Sequence, residues 1–569
     1  MLVLVLSVGA IVGVSSLGSG PPSAKTLADQ FAAAWARRDW QAMYAQVDSA
    51  TQVGVPYSQF ASDYAAPAAT ATVIGAKVLR GTYAAGSSEV VTLRVRTRIF
   101  GTMRLQYTLP LTGSGNAMRI LWHPNLAFPE LYPGEVVHRV TVTPTRGQLL
   151  ARDGVPLASL ASASNVIGSV ATAGGSQEQA LEADGFPAGT LVGTSGLEYL
   201  FNRQLEGRPG GKLFAGPRII ADTRAVPGTN VRTSIDPELQ NDAVSEFGSS
   251  SGGIVVMAPR TGELLAVAGS PLSQTQPPGS TFKIVTATGV LEARLATINS
   301  TYAYGTYAKI DGYKLHNSNS EDCGGTLINA FAVSCNSVYA PLGIELGAQR
   351  LVAAAETYGF NKPSPIAIAA ESTIPQPTLL TDPVALGSSA IGQYQDLASP
   401  LQMLRIAATI ALGGREPTPT FATGVHPSFP RVIPAQIAHT IRKMMIAVVR
   451  YGDGTGVQAQ LPGVLVAGKT GTAQLTLPNC ASASTGASGT TGASGSSSIG
   501  SIATPSGATG PCANIPNNPY DTDAWFVSFA PAFHPKIAVG VLLDHDGAGG
   551  TSAAPIARDL IADALELGY

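Results

Sequence analysis

Residues 277–291 read Pro277-Pro278-Gly279-Ser280-Thr281-Phe282-Lys283, then the apolar run Ile284 to Leu291. Proline and glycine end the preceding loop, and the run that follows reads as a buried helix. Ser280 therefore sits at a helix N-terminus, with Lys283 one turn later on the same face. A serine hydroxyl needs a base to become a nucleophile, and a lysine can be that base only if its pKa falls. Burial and a neighbouring cation both lower it. The helix start also offers a backbone N–H and a positive dipole to a developing oxyanion. Ser-x-x-Lys alone is common in any chain, so its meaning depends on what joins it.

Two further motifs do. Ser334-Cys335-Asn336 follows a helical run, Leu327 to Val333. Ser334 can relay a proton and Asn336 can hold a substrate amide, although taken alone the segment reads more readily as a helix C-cap. Lys469-Thr470-Gly471-Thr472-Ala473 comes after an expected strand over Gly463 to Ala467. Lys469 supplies a second cation, and Thr470 and Thr472 can grip a carboxylate. An exposed strand edge at Thr472 can donate an oxyanion-hole N–H, and Gly471 lets a substrate backbone come close. A G-x-S-x-G match at Gly248 to Gly252 is discarded, because the strand follows it instead of leading into it.

Outward from these motifs, Gly253 to Met257 and Leu264 to Ala268 form a hairpin pattern around Ala258-Pro259-Arg260-Thr261-Gly262. Strands are expected over Trp525 to Ala530 and Ile537 to Leu543, and a closing helix over Ile556 to Leu567. Residues 237–569 thus read as an antiparallel sheet flanked by helices, interrupted at 480–512 by a Ser/Gly/Ala/Thr-rich insertion. Ahead of them, residues 132–235 contain short strands, turns at Arg152-Asp153-Gly154 and a helix start near Gly193-Thr194-Ser195. Residues 24–131 begin with a helical stripe of Leu27, Phe31, Ala34 and Trp35. They continue in an alternating hairpin, with Val91, Leu93, Val95, Met103, Leu105, Tyr107 and Leu109 on one face. The whole is a multidomain α+β protein. Residues 1–20 open with MLVLVLSVGAIVGV, shorter than the ~20 residues of a full span, and the first cation is Lys25. This stretch is read as part of a signal-anchor clipped at its start.

Composition removes other classes. The 569 residues carry 35 Lys and Arg against 37 Asp and Glu, a net charge of −2, without the basic footprint of a nucleic-acid binder. Charged residues are 13% and hydrophobic residues 45%, which argues against disorder. The 7 histidines show no metal-ligand spacing, and the chemistry above requires no cofactor.

Ser-x-x-Lys on a helix, Ser-x-Asn on a loop and Lys-Thr-Gly on a strand, in that order, resemble the penicillin-binding and serine β-lactamase superfamily. The surrounding residues look like class B penicillin-binding proteins, the bacterial cell-wall D,D-transpeptidases. Further matches are Thr261-Gly262-Glu263-Leu264-Leu265-Ala266 and Ala524-Trp525-Phe526-Val527-Ser528-Phe529-Ala530-Pro531. Residues 132–235 resemble that family's pedestal or dimerisation domain, and 24–131 the NTF2-like domain of methicillin-resistance transpeptidases. The resemblance implies that Ser280 is acylated by a peptidoglycan stem peptide. Lys283 would be the general base, and Lys469 and Ser334 would shuttle protons. Asn336, Thr470, Gly471 and Thr472 would hold substrate. It implies β-lactams as covalent inhibitors, partners in cell-wall synthesis, and a single-pass protein of the bacterial cell membrane with its bulk outside the cytoplasm. A serine β-lactamase would need a positioned water, and no fitting Glu-x-x-x-Asn loop lies between Asn336 and Lys469. A β-lactam sensor would need several membrane spans. The segment between Ala268 and Gly279 is shorter than in relatives, and the 480–512 insertion is unusual.

Outside the cytoplasm disulfides persist. Cys480 and Cys512 bracket the insertion, and bridging them would pinch its neck. Cys323 and Cys335 are a second candidate pair; the other reading makes Cys335 a small buried thiol and Cys323 a loop residue.

Overall fold

The computed structural model describes residues 23–425, 428–474 and 522–569. Residues 1–20, the 480–512 insertion and the Cys480–Cys512 pairing lie outside them. The chain forms two compact units. One holds the described residues up to Gly147 with Ala171–Val192 and Arg203–Thr229; the other holds Gln148–Val170, Gly193–Asn202 and Asn230–Tyr569. Residues 132–235 contribute to both.

In the first unit the helix Ala24–Arg37 is N-capped by Ser23, whose Oγ accepts the Thr26 N–H at 3.2 Å. It buries Leu27, Phe31, Ala34 and Trp35, the stripe read from the sequence. The strands Ser88–Thr97 and Thr102–Thr112 pair antiparallel and bury every residue of the alternating set from Val91 to Leu109. Phe31, Trp35, Tyr64, Tyr107 and Phe128 meet in tilted and edge-to-face contacts at 5.8–6.5 Å between centroids. Trp122 Nε1 donates to the Tyr64 hydroxyl at 3.1 Å, whereas the Trp35 Nε1 in the same core is buried without a hydrogen-bond partner among the described residues.

The second unit is built on five strands: β1 (Gly252–Ala258), β2 (Glu263–Gly269), β3 (Ala467–Gln474), β4 (Thr522–Ala530) and β5 (Ile537–Leu543). Their order is β2-β1-β5-β4-β3, and every pairing is antiparallel. Helices α1 (Pro237–Phe247) and α7 (Ala553–Glu566) cover one face through Leu239, Ala243, Ala557, Leu560 and Ile561. On the other face, α5 (Pro400–Ala411) packs so tightly that Leu404 Cβ and Pro400 O would each lie 3.1 Å from a Cβ on Gly540. All twelve residues of α5 are buried, as are all seven of β1 and all seven of β5. The helix α2 (Lys283–Glu292) is likewise buried at every position from Lys283 to Leu291. Between α2 and α5 lie α3 (Leu327–Ala332) and α4 (Asn336–Leu346); α6 (Ala435–Arg450) follows α5 and packs beside β3.

One strand boundary differs from the sequence reading. The expected strand over 463–467 is a turn through Pro462 and Gly463, with Gly463 at φ +74°, and β3 starts at Ala467. Lys469, Thr470, Gly471 and Thr472 therefore lie within the strand and not after it. The cause is residue-by-residue pairing with β4, from Ala467 opposite Phe529 to Gln474 opposite Thr522. The closing helix likewise starts at Ala553, three residues before the expected Ile556. Gly248 ends α1 and Gly252 opens β1, which bears out discarding the elbow motif.

Candidate active site

Ser280 lies in a short 3₁₀ turn, Gly279–Phe282, that leads directly into α2. Lys283, the first residue of α2, is fully buried. Its Nζ lies 3.0 Å from Ser280 Oγ, 2.5 Å from the Ser334 carbonyl oxygen, 2.6 Å from Asn336 Oδ1 and 3.2 Å from Ser334 Oγ. Burial first, and the Lys469 ammonium second, hold Lys283 well below the usual lysine pKa. A neutral amine has two hydrogens and one lone pair. The two closest groups, the Ser334 carbonyl and Asn336 Oδ1, can only accept. Both hydrogens go to them, and the lone pair is left for the Ser280 hydroxyl. The Asn336 amide is set the right way round because its Nδ2 donates to the His316 carbonyl at 2.9 Å.

Ser334 owes its position to the end of α3. Val333 is the C-cap, the Ser334 N–H donates to the Phe331 carbonyl at 3.1 Å, and the Cys335 N–H to the Ala330 carbonyl at 2.7 Å. This is a Schellman closure, with Ser334 at φ +62° in the left-handed place that glycine usually fills. A residue with a Cβ costs roughly 1 kcal/mol more there. The segment is a C-cap, and it also sets the Ser334 hydroxyl at the crossing of two lysines. Lys469 Nζ donates to Ser334 Oγ at 2.9 Å and to the Thr470 carbonyl at 3.0 Å. Burial pushes Lys469 down to about 7. Ser280, Lys283, Ser334, Asn336 and Lys469 thus form one hydrogen-bonded set, as their order in the chain led us to expect.

The remaining motif residues sit on β3. Thr470 is nearly fully buried, and its Oγ1 lies 2.6 Å from Thr455 Oγ1. Gly471 has a packing role within the chain. A Cβ there would lie 2.8 Å from the Pro278 carbonyl oxygen and 2.8 Å from Trp525 Cβ, so the glycine lets the nucleophile turn itself lie against the strand. Thr472 is half-buried at the same strand, and a Cβ on Gly279 would meet its carbonyl oxygen at 2.9 Å.

Comparison with known proteins places this arrangement. Residues 252–562 match the family described as the penicillin-binding protein transpeptidase domain, over half of the chain. The chain belongs to the penicillin-binding protein transpeptidase family. Residues 159–216 match the penicillin-binding protein dimerisation domain and 23–135 the NTF2-like N-terminal transpeptidase domain. The peptidoglycan D,D-transpeptidase PbpA of Mycobacterium tuberculosis is 29% identical over 434 residues, 64% of this chain and 77% of that one. The fold matches that of penicillin-binding protein A from M. tuberculosis, solved as a ceftriaxone acyl-enzyme, with TM-score 0.53 and 23% identity over 74% of this chain and 99% of that one. It also matches penicillin-binding protein PBP2 from Helicobacter pylori, solved in complex with MreC, with TM-score 0.62 and 19% identity over 76% and 99%.

The sequence reading of this transpeptidase missed groups that only packing brings in. The Phe331 ring lies 5.5 Å from Lys469 Nζ and the Tyr339 ring 5.8 Å from Lys283 Nζ. Tyr339 is three residues after Asn336 on α4, a helical spacing that pointed to it. Thr455 gave no such signal beyond its place between two glycines.

Of the four cysteines, Cys323 and Cys335 form a disulfide, 12 residues apart with Cα atoms 5.8 Å apart. Cys335 is the N-cap of α4, so the bridge ties the Ser334–Asn336 corner to the strand Cys323–Thr326. Closing a loop of this length is worth about 3 kcal/mol in the chain-entropy model. Replacing both cysteines with serine is expected to lower the Tm of the transition containing this unit by roughly 5 °C. An unchanged melting curve in differential scanning calorimetry would refute that contribution.

Proposed function

We propose that this protein is a peptidoglycan D,D-transpeptidase that works through an acyl-enzyme on Ser280. The observation that carries the reading is the placement of Lys283 Nζ, 3.0 Å from Ser280 Oγ and held at the same time by two groups that can only accept, the Ser334 carbonyl and Asn336 Oδ1. In the first half-reaction Lys283 takes the Ser280 proton as Oγ attacks the penultimate D-Ala carbonyl carbon of a stem peptide. The Ser280 N–H, at a helix start, and the Thr472 N–H stabilise the oxyanion. The C–N bond breaks, and the departing D-Ala amine receives a proton through Ser334, which touches both lysines. In the second half the amine of another stem peptide attacks the ester carbon, loses its proton to the same set, and expels Ser280 Oγ. Lys469 and Thr470 present positive charge and a hydroxyl to the terminal carboxylate, and Asn336 orients the donor peptide.

The wider setting belongs to the same proposal. The apolar residues 1–20 tether the chain to a bacterial cell membrane with residues 24–569 on the extracytoplasmic side, divided as NTF2-like 24–131, pedestal 132–235 and transpeptidase 237–569. Among the described residues no helix is long and apolar enough to cross a membrane. The MreC complex of the H. pylori relative supports partners in cell-wall synthesis, and the ceftriaxone adduct of the M. tuberculosis relative supports β-lactams as covalent inhibitors.

Intact mass measurement after exposure to a labelled penicillin tests the activity class. One stable equivalent of adduct per chain, recovered on the peptide that contains Ser280, is expected. Rapid loss of the adduct with accumulation of hydrolysed penicillin would assign a β-lactamase instead.

A further inference from the structure

The turn that follows the short helix Pro383–Ser389 belongs to none of the three motifs, yet it touches the parts that must be held in register. The Ala390 carbonyl accepts the Thr286 hydroxyl of α2 at 2.6 Å, and the Gly392 carbonyl accepts the Gly279 N–H at 2.8 Å. Gln393 Nε2 donates to the Thr472 carbonyl of β3 at 3.4 Å. Ser389 Oγ donates to the buried carboxyl of Asp396, which closes the turn on itself. No side chain fits at 392: a Cβ there would lie 2.1 Å from the Gly279 carbonyl oxygen and 2.7 Å from Phe282 Cβ, at φ +75°. Residues 389–396 therefore stitch the nucleophile turn to the Lys-Thr-Gly strand.

We propose that Gln393 is a positioning residue of the acylation step: by holding the Thr472 carbonyl it sets the edge of β3 that faces Ser280. This rests on the active-site reading given above. In an antiparallel strand a residue's N–H and C=O point to the same edge. The Thr472 carbonyl lies against Gly279, so the Thr472 N–H projects toward the nucleophile turn as well. Anchoring the carbonyl from Gln393 keeps that N–H aimed where the oxyanion forms. At 3.4 Å the bond is long, so its loss should cost about tenfold, against the roughly 10²–10³ of an oxyanion donor itself.

The test is the acylation rate constant for a penicillin, by stopped flow, in Gln393→Ala and Gln393→Glu, with Tm recorded for each and Ser280→Ala as control. Gln393→Ala is expected to acylate about tenfold more slowly with a near wild-type Tm. In Gln393→Glu an ionised carboxylate opposes the Thr472 carbonyl, whereas the protonated acid regains an O–H donor. Its rate relative to Gln393→Ala should therefore climb by roughly fivefold between pH 8 and pH 5, and the Lys283 titration common to both variants cancels in that ratio. A purely structural role would not give a pH-dependent ratio. Rates in folded Gln393→Ala within twofold of wild type, or a ratio flat with pH, would overturn the inference; should Gln393→Ala fail to fold, the pH dependence of the Gln393→Glu rate relative to wild type decides, since the lysine titrations cancel in that ratio too. Adduct formation in Ser280→Ala overturns the site reading and this inference with it. A silent Ser280→Ala beside wild-type rates in Gln393→Ala overturns the inference alone.

Discussion

Ser280→Ala is expected to abolish covalent penicillin labelling, a loss of the order of 10⁶-fold, as seen when a catalytic serine is removed from other acyl-transfer enzymes. The fold should survive. Ser280 is half-buried at the start of a helix, and the Lys283 hydrogen bonds to the Ser334 carbonyl and Asn336 Oδ1 do not involve it. Alanine also keeps the 3₁₀ turn's backbone allowed. Fluorescent penicillin on a gel, read beside a melting curve, separates the two effects. Labelling at the wild-type level would move the nucleophile elsewhere.

Lys283→Arg is expected to be nearly as damaging as Lys283→Ala, with acylation lower by about 10²–10⁴-fold, the usual worth of a general base. Arginine keeps the charge but does not deprotonate inside a protein. Acylation within about tenfold of wild type, a barrier change of ~1.4 kcal/mol, would reject the base role. The pH profile gives the sign independently. Lys283 acts only when neutral, so the wild-type rate falls as pH drops through its lowered pKa. Lys469 contributes as a cation, so the rate falls again as pH rises through about 7. Lys283 feels the Lys469 ammonium in addition to burial, and both push its limb toward lower pH. The two amines share Ser334, so the limbs belong to the pair and not to single residues. In Lys283→Arg the rising limb should vanish and the falling limb remain. A rising limb retained in folded Lys283→Arg would assign it to another group.

Much of the fold is legible in the chain itself, because the signals are local. The period of Leu27, Phe31, Ala34 and Trp35 and the alternation from Val91 to Leu109 are each set within a few residues, and both faces are buried as expected. So are the Pro-Gly break before Ser280 and the helix end at Ser334. Signals were weaker where burial is two-sided and misled where a buried strand is polar. β1 and β5 are covered on both faces and carry no alternation, so only their apolar character and length marked them. β3 is polar in letter, Lys-Thr-Gly-Thr, yet its first seven residues are buried or half-buried, and the apolar run before it drew the expected strand too early.

The chain order of the motifs, with their chemistry of hydroxyl, amine and amide, was determined by the sequence alone, since each motif is a few adjacent residues whose types and caps dictate local shape. Their meeting was not. Ser280, Ser334 and Lys469 are brought within hydrogen-bond reach of one another's partners only by the packing of α2, α3 and β3. The Cys323–Cys335 bridge, left open by spacing, was decided in the same way, by the distance between two Cα atoms. The tertiary structure also decided that both lysines lie below the ordinary lysine pKa. An amine's pKa depends on how much water surrounds it and which charges lie nearby, and neither quantity exists until the core has closed around Lys283 and Lys469.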